Sequence, residues 1–129
     1  PLEMIRSGVD AYGWFAPEMS RLPHEELWGL LLDRRNRPMQ RIRFSAGSPH
    51  ATVVDCTEIL RVVLRAGADA LILAHNHPSG DPTPSPEDCI VTRRLSAGAT
   101  TVGVRFLDHL VIGGGRIAGW VSMAERGLL

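Results

Sequence analysis

The clearest hydrophobic run in the chain is Leu27-Trp28-Gly29-Leu30-Leu31-Leu32, led in by Glu25-Glu26 and closed by Asp33. A stretch apolar at nearly every position suits a strand covered on both faces, with a short buried helix as the alternative. Asp33 to Pro38 is rich in turn residues, and Met39 to Phe44 alternates polar and apolar side chains, so the two segments read as a β-hairpin. Ala51 to Val54 reads as another short strand. Thr57 is placed as an N-cap, Ile59, Leu60, Val63 and Leu64 follow at helical spacing, and Gly67 stops that helix. Asp69 to Ala74 then forms an apolar strand running into His75. A Pro- and Gly-rich loop occupies Pro78 to Pro84, and a second helix starts at Ser85-Pro86 and ends near Gly98. Thr101 to Ile112, a turn at Gly113 to Gly115, and Arg116 to Met123 complete a last hairpin. This order predicts an α/β domain, one mixed sheet between helix layers.

Composition narrows the class. At 129 residues, 44% hydrophobic and 22% charged, the chain has the make-up of a single globular domain. Residues 1–24, where Pro17 and Pro23 bracket one or two helical turns, read as an N-terminal extension to a domain over 25–129. Pro1 in place of an initiator Met suggests a processed start or an excised fragment. Fourteen basic residues, all arginine, balance fourteen acidic ones, which removes the simplest electrostatic case for a nucleic-acid binder. Two cysteines fit a reducing compartment, no run is long enough for a membrane span, and no signal-peptide core is seen, so a cytoplasmic protein is expected.

Chemistry concentrates in His75-Asn76-His77-Pro78-Ser79-Gly80-Asp81-Pro82-Thr83-Pro84-Ser85-Pro86-Glu87-Asp88. Histidines at i and i+2 on extended chain point to one side, and Asp88 in the first turn of the next helix can fold back toward them. Two imidazoles and a carboxylate suit Zn2+ and leave a fourth tetrahedral position open, as catalytic zinc requires. Taken singly, each piece is ordinary. A lone His-x-His is more often a strand pair than a metal site, and Ser-Pro-Glu-Asp is a good helix start.

The conjunction resembles a known family. His-x-His, seven residues, Ser, two residues and Asp is the JAMM metalloprotease pattern, matched by His75, His77, Ser85 and Asp88. The resemblance is closer still to the bacterial RadC-like branch, through HNHPSGDPTPS at 75–85, LDH at 107–109 and AERGLL at 124–129. It implies a three-layer α/β/α domain with a mixed, largely antiparallel sheet, of the JAB/MPN, cytidine-deaminase-like kind. It also implies a zinc metallopeptidase or isopeptidase. The family's glutamate stands eight residues before the aspartate closing the first strand, which picks Glu25 as general acid/base, with Glu26 as the fallback because a one-residue slip reverses the facing. Ser85 would donate to the developing oxyanion, a role compatible with capping through its lone pairs.

Other features rank lower. Cys89 is placed pointing away from the metal, His109 as a structural hydrogen-bonding residue, and His24 and His50 as surface. Arg34, Arg35, Arg37, Arg41 and Arg43 make a charged hairpin edge more readily than a phosphate stripe, because no aromatic residue interleaves with them. Asp55-Cys56-Thr57-Glu58 departs from the His-Pro-Arg-Glu segment usual in RadC-like chains, and 129 residues leave no room for the N-terminal helix-hairpin-helix region of longer members. The competing function is a non-catalytic DNA repair or recombination accessory. Expected partners are a peptide or protein substrate, nucleic acid only on weak grounds, and a second copy by sheet extension.

Overall fold

The structure is a computed structural model describing residues 3–47, 56–114 and 119–129. The described elements are α1 (Gly8–Gly13), α2 (Ala16–Met19), β1 (Glu25–Leu32), β2 (Pro38–Gly47), α3 (Cys56–Arg65), β3 (Ala70–His77), α4 (Pro86–Val102), β4 (Arg105–Gly113) and β5 (Trp120–Ser122). The strands form one sheet in the order β2-β1-β3-β4-β5. Only β3 and β4 run parallel; the other neighbours are antiparallel. The expected mixed, largely antiparallel α/β architecture is therefore the observed one.

Both faces of the sheet are covered, and this is why β1 and β3 are apolar almost throughout. On one face Phe15, Met19 and Ala11 pack with Trp28, Leu30, Leu32, Ile72, Leu110 and Ile112. On the other, Ile59, Val63, Leu95 and Ala99 pack with Leu27, Leu31, Leu71 and Leu73. The period-2 alternation of each strand thus splits it between two cores. The first face is covered by the stretch ahead of Glu25, since Ile5, Ala11, Phe15 and Met19 are all buried there.

The β1–β2 turn forms as its sequence predicts. Asp33 Oδ1 accepts the backbone N–H groups of Arg35 and Arg37, and Asn36 takes the left-handed conformation at φ 59°. Gly29 in β1 leaves space for a ring: a Cβ there would sit 2.4 Å from Phe44 Cε2.

Several boundaries differ from the expected ones. Thr57 is the second residue of α3 rather than its cap, because the helix is already formed at Cys56. Gly67 does stop that helix at φ +67°, its N–H donating to Leu64 O and Ala68 N–H to Val63 O. Strand β3 runs through His77, so both histidines stand on regular strand. Gly98 does not end α4; it allows the two helices on that face to approach, a Cβ there lying 2.8 Å from Leu60 Cδ1. The helix continues to Val102 and stops at Gly103 in the left-handed region. Thr101, read as strand, is helical like Thr100, and the two donate through Oγ1 to Ala97 O and Ser96 O respectively. Strand β4 starts at Arg105 and β5 is Trp120–Ser122, while positions 115–118 of the expected hairpin lie outside the described residues. The strand expected at 51–54, and His50, lie outside the described residues.

Candidate metal centre

The centre is built by three elements. Residues of β3 alternate, so Leu71, Leu73, His75 and His77 share the face toward α3 and α4, while Ile72, Ala74 and Asn76 share the other. Asp88 comes from the first turn of α4. Ser85 caps that helix: its Oγ accepts from Asp88 N at 3.1 Å, and Asp88 Oδ2 accepts from Ser85 N at 2.7 Å, a reciprocal capping box. The box fixes the Asp88 carboxylate, whose two oxygens meet the imidazoles: Oδ1 lies 3.0 Å from His75 Nε2 and Oδ2 3.3 Å from His77 Nε2. The two Nε2 atoms are 2.9 Å apart.

Electrostatics follow from that packing. Burial acts to raise the Asp88 carboxyl, but hydrogen bonds from His75 and His77, the charge of His75 and the Ser85 amide outweigh it and hold it far below the usual carboxylate range. The Asp88 hydrogen bond raises His77 above an ordinary histidine despite partial burial, helped by the Asp81 carbonyl and the charge of Glu25. His77 Nδ1 donates to that carbonyl at 2.8 Å, because a carbonyl oxygen only accepts, so Nε2 is the nitrogen that meets Asp88.

The two glutamates part company. Glu25 shares the parity of Leu27, the face of His75 and His77, and its charge is felt at His77. Glu26 is on the opposite face, where its Oε1 accepts from Trp28 Nε1 at 2.9 Å and pairs with Arg43 Nε at 2.9 Å. Between the histidines, Asn76 is fully buried and clamps the chain on both sides of Glu25. Its Oδ1 accepts from Glu26 N at 2.8 Å, and its Nδ2 donates to His24 O at 2.9 Å.

Of the remaining candidates, Cys89 packs against the small cluster of Val111, Val121 and Met123. The side chain of His109 is buried behind the centre, its Nε2 2.9 Å from His75 Nδ1 and its Nδ1 2.6 Å from Thr92 Oγ1. Burial pushes it down to about 3, aided by the charge of His75. Asp108 faces the other way, accepting from Ser122 Oγ, Ala124 N and His109 N. The arginine reading needs correction: Arg41 and Arg43 do meet an aromatic ring, that of Trp28 on the neighbouring strand, with guanidinium carbons 4.8 and 5.4 Å from its centroid. Arg41 also bonds Glu18 and the Trp14 carbonyl, which ties it to the helical layer, and Arg43 bonds Glu26 of the neighbouring strand. Sequence reasoning missed Asn76, Thr92 and Met123. A polar residue between two ligands on an otherwise apolar strand, and a threonine one helical turn after Asp88, were the available signals.

His75, His77 and Asp88 form a group that could hold a metal ion, their ligand atoms lying within 4.8 Å of one another. The two histidine nitrogens are 2.9 Å apart and each meets a different Asp88 oxygen, at 3.0 and 3.3 Å, spacings near the roughly 3.3 Å edge of a tetrahedron with ~2.0 Å bonds to zinc. The donor set and its spacing fit that ion. Fold and site together define a JAB-like α/β domain with a candidate metal centre at one end of its sheet.

Comparison with known proteins supplies the family. The RadC-like JAB domain model matches residues 5–128, and the chain belongs to that family. It is 45% identical over 125 residues to a UPF0758 protein of Roseiflexus sp. (strain RS-1), covering 97% of this chain and 52% of that protein. A UPF0758 protein of Methanococcoides burtonii is 40% identical over 129 residues, 100% of this chain and 55% of the relative. One from Pelobacter propionicus is 39% identical over 128 residues, 99% and 55% respectively. The chain thus spans about half the length of the curated relatives it matches.

Proposed function

We propose that this domain is a zinc-dependent hydrolase of amide bonds, acting on a peptide or protein substrate. The observation carrying the proposal is the parity of β1 and β3, which gives Glu25 the same face as the His75–His77–Asp88 cluster. Zn2+ held by those three residues would supply an acidified water and a Lewis acid for the amide carbonyl. Glu25 takes the proton of the attacking water and returns it to the leaving nitrogen, a role worth about 10²–10⁴-fold in rate. Its charge, already acting at His77, favours that proton movement. The Ser85 hydroxyl accepts from Asp88 N and so keeps its own proton for the carbonyl oxygen as charge develops there. One such donor contributes about 3 kcal/mol.

The DNA-accessory reading draws on Arg41 and Arg43, whose guanidinium groups are already spent on Glu18, Trp14, Glu26 and Trp28. Among the described residues no helix is long and apolar enough to cross a membrane. The test is zinc titration of the chain followed by a peptide and isopeptide cleavage screen, with Glu25→Gln beside the parent. About one ion per chain in both, with cleavage only in the parent, supports the proposal. Cleavage retained by Glu25→Gln removes Glu25 as the base, and no zinc uptake by the parent removes the metal reading.

A further inference from the structure

Behind His75, on the side away from Asp88, a line of buried polar atoms ends on sulfur. His75 Nδ1 is 2.9 Å from His109 Nε2, His109 Nδ1 is 2.6 Å from Thr92 Oγ1, and Thr92 Oγ1 is 3.5 Å from Met123 Sδ. Thr92, His109 and Met123 are 0%, 1% and 0% exposed, so these contacts are not shared with bulk water. Three elements converge to make the line. The helix α4 carries Thr92 one turn beyond Asp88, β4 lays His109 beside β3, and Met123 follows β5 with its N–H donating to His109 O at 3.0 Å.

The end of the line sets its direction. A thioether accepts and has no proton to give, so the Thr92 hydroxyl donates to Met123 Sδ. With that proton committed, Thr92 Oγ1 accepts from His109, whose proton then sits on Nδ1. An enclosed imidazole with no carboxylate partner carries a single ring proton, so His109 Nε2 is bare and accepts from His75 Nδ1–H. His75 Nε2 is then the nitrogen turned toward the cluster, 3.0 Å from Asp88 Oδ1 and 2.9 Å from His77 Nε2.

We propose that His109, Thr92 and Met123 are positioning residues that keep His75 protonated at Nδ1 and so present its Nε2 to the metal position. The idea rests on the metal reading above and extends it. His77 keeps its Nδ1 proton through a separate route, the Asp81 carbonyl, so a fault in the buried line alters His75 and leaves His77 unchanged.

The test uses the metal-free, 15N-labelled 129-residue chain. Two-bond 15N–1H correlation spectra report which ring nitrogen of each histidine is protonated, with His75→Gln providing the assignment. The expected result is a proton on Nδ1 of His75 and of His109 in the parent. In the near-isosteric Thr92→Val chain His75 becomes a mixture of tautomers, His77 is unchanged, and zinc affinity by chelator competition falls about 10–100-fold. Thr92→Ser restores both. A His75 Nδ1 without a proton in the parent overturns the proposal, whatever the variants do. Thr92→Val with parental tautomer and parental affinity also overturns it. Should the parent take up no zinc, the metal reading falls while the spectra still decide the tautomer.

Discussion

Residues 25–28 of β1 and 74–77 of β3 carry two different designs, sorted by which face each side chain occupies. Toward α1 and α2, every strong hydrogen-bonding group is spent on protein. Glu26 is shared between the Trp28 indole and Arg43, and Asn76 is shared between Glu26 N and His24 O. Toward α3 and α4, the groups point at one another: two imidazole nitrogens and a carboxylate gather within 3.3 Å, with Glu25 beside them. No ion pair holds Glu25 among the described residues. Adjacent and chemically identical, Glu25 and Glu26 differ only in facing. Satisfied polar groups make structure, whereas convergent donors lacking a common partner make a site.

The largest effects should come from breaking the convergent face itself. His77→Ala removes one of three ligands, and zinc affinity should fall by more than the roughly 100-fold typical of losing an outer partner. Calorimetric titration checks this. Exchanging the two glutamates' fates is the sharper form of the comparison. Glu25→Gln should lower hydrolysis by about 10²–10⁴-fold with zinc still bound. Glu26→Leu should keep hydrolysis and instead lose about 1–3 kcal/mol in urea unfolding, since the indole N–H of buried Trp28 would lose its acceptor. If Glu26→Leu silences the reaction while Glu25→Gln spares it, the assignment by parity is wrong.

The candidate metal-binding group was legible because its spacing is local: His75 and His77 on one strand face, and Asp88 at the third position of a helix opened by Ser85-Pro86. The double-sided sheet was legible too, since only burial on both faces explains Leu27 to Leu32. Which glutamate shares the histidines' face was picked as Glu25 on family spacing with Glu26 as the fallback, because one residue of register reverses the facing; the Leu27–His75 pairing gives that face to Glu25. The role of Trp28 beneath Arg41 and Arg43 was hidden, being a cross-strand contact between segments that look unrelated along the chain. Gly98 misled for a physical reason. Glycine marks helix ends by its freedom at positive φ, but here its missing side chain lets Leu60 come close. Thr92 and Met123 stand 31 residues apart in the chain and met only through folding.

Asn76 allows the clamping face to be broken without touching a ligand. Asn76→Leu leaves Glu26 N and His24 O without their partner, each a loss of about 1–3 kcal/mol where the group stays buried. The entrance of β1 should loosen, and with it the placement of Glu25. Hydrolysis is expected to fall at least about 10-fold, since small misplacements of a catalytic group are costly. Zinc affinity should hold, because His75 and His77 keep their positions in β3. Asn76→Asp separates the two bonds: it keeps an acceptor for Glu26 N but places a carboxylate against the His24 carbonyl. Parental hydrolysis in both variants would show that Asn76 does not position Glu25.

The smallest effect is the pH response of the metal-free chain, and the two buried histidines should push it in opposite directions. His77 is raised by Asp88, so in the folded chain it keeps a proton that the unfolded chain releases near 6.5. Its stabilising contribution is complete below that pH and is lost as pH rises through the folded value. His109 is pushed down to about 3, so its contribution is present above 6.5 and is lost as pH falls toward that value. Urea midpoints should therefore drop on the acid side first through His109, with Asp88, itself held below its ordinary 3.8, adding to the loss at lower pH, and slightly on the basic side through His77. His109→Gln should flatten the acid limb and Asp88→Asn the basic one. An acid limb equally steep in His109→Gln would show that the enclosed ring is not what the proton attacks.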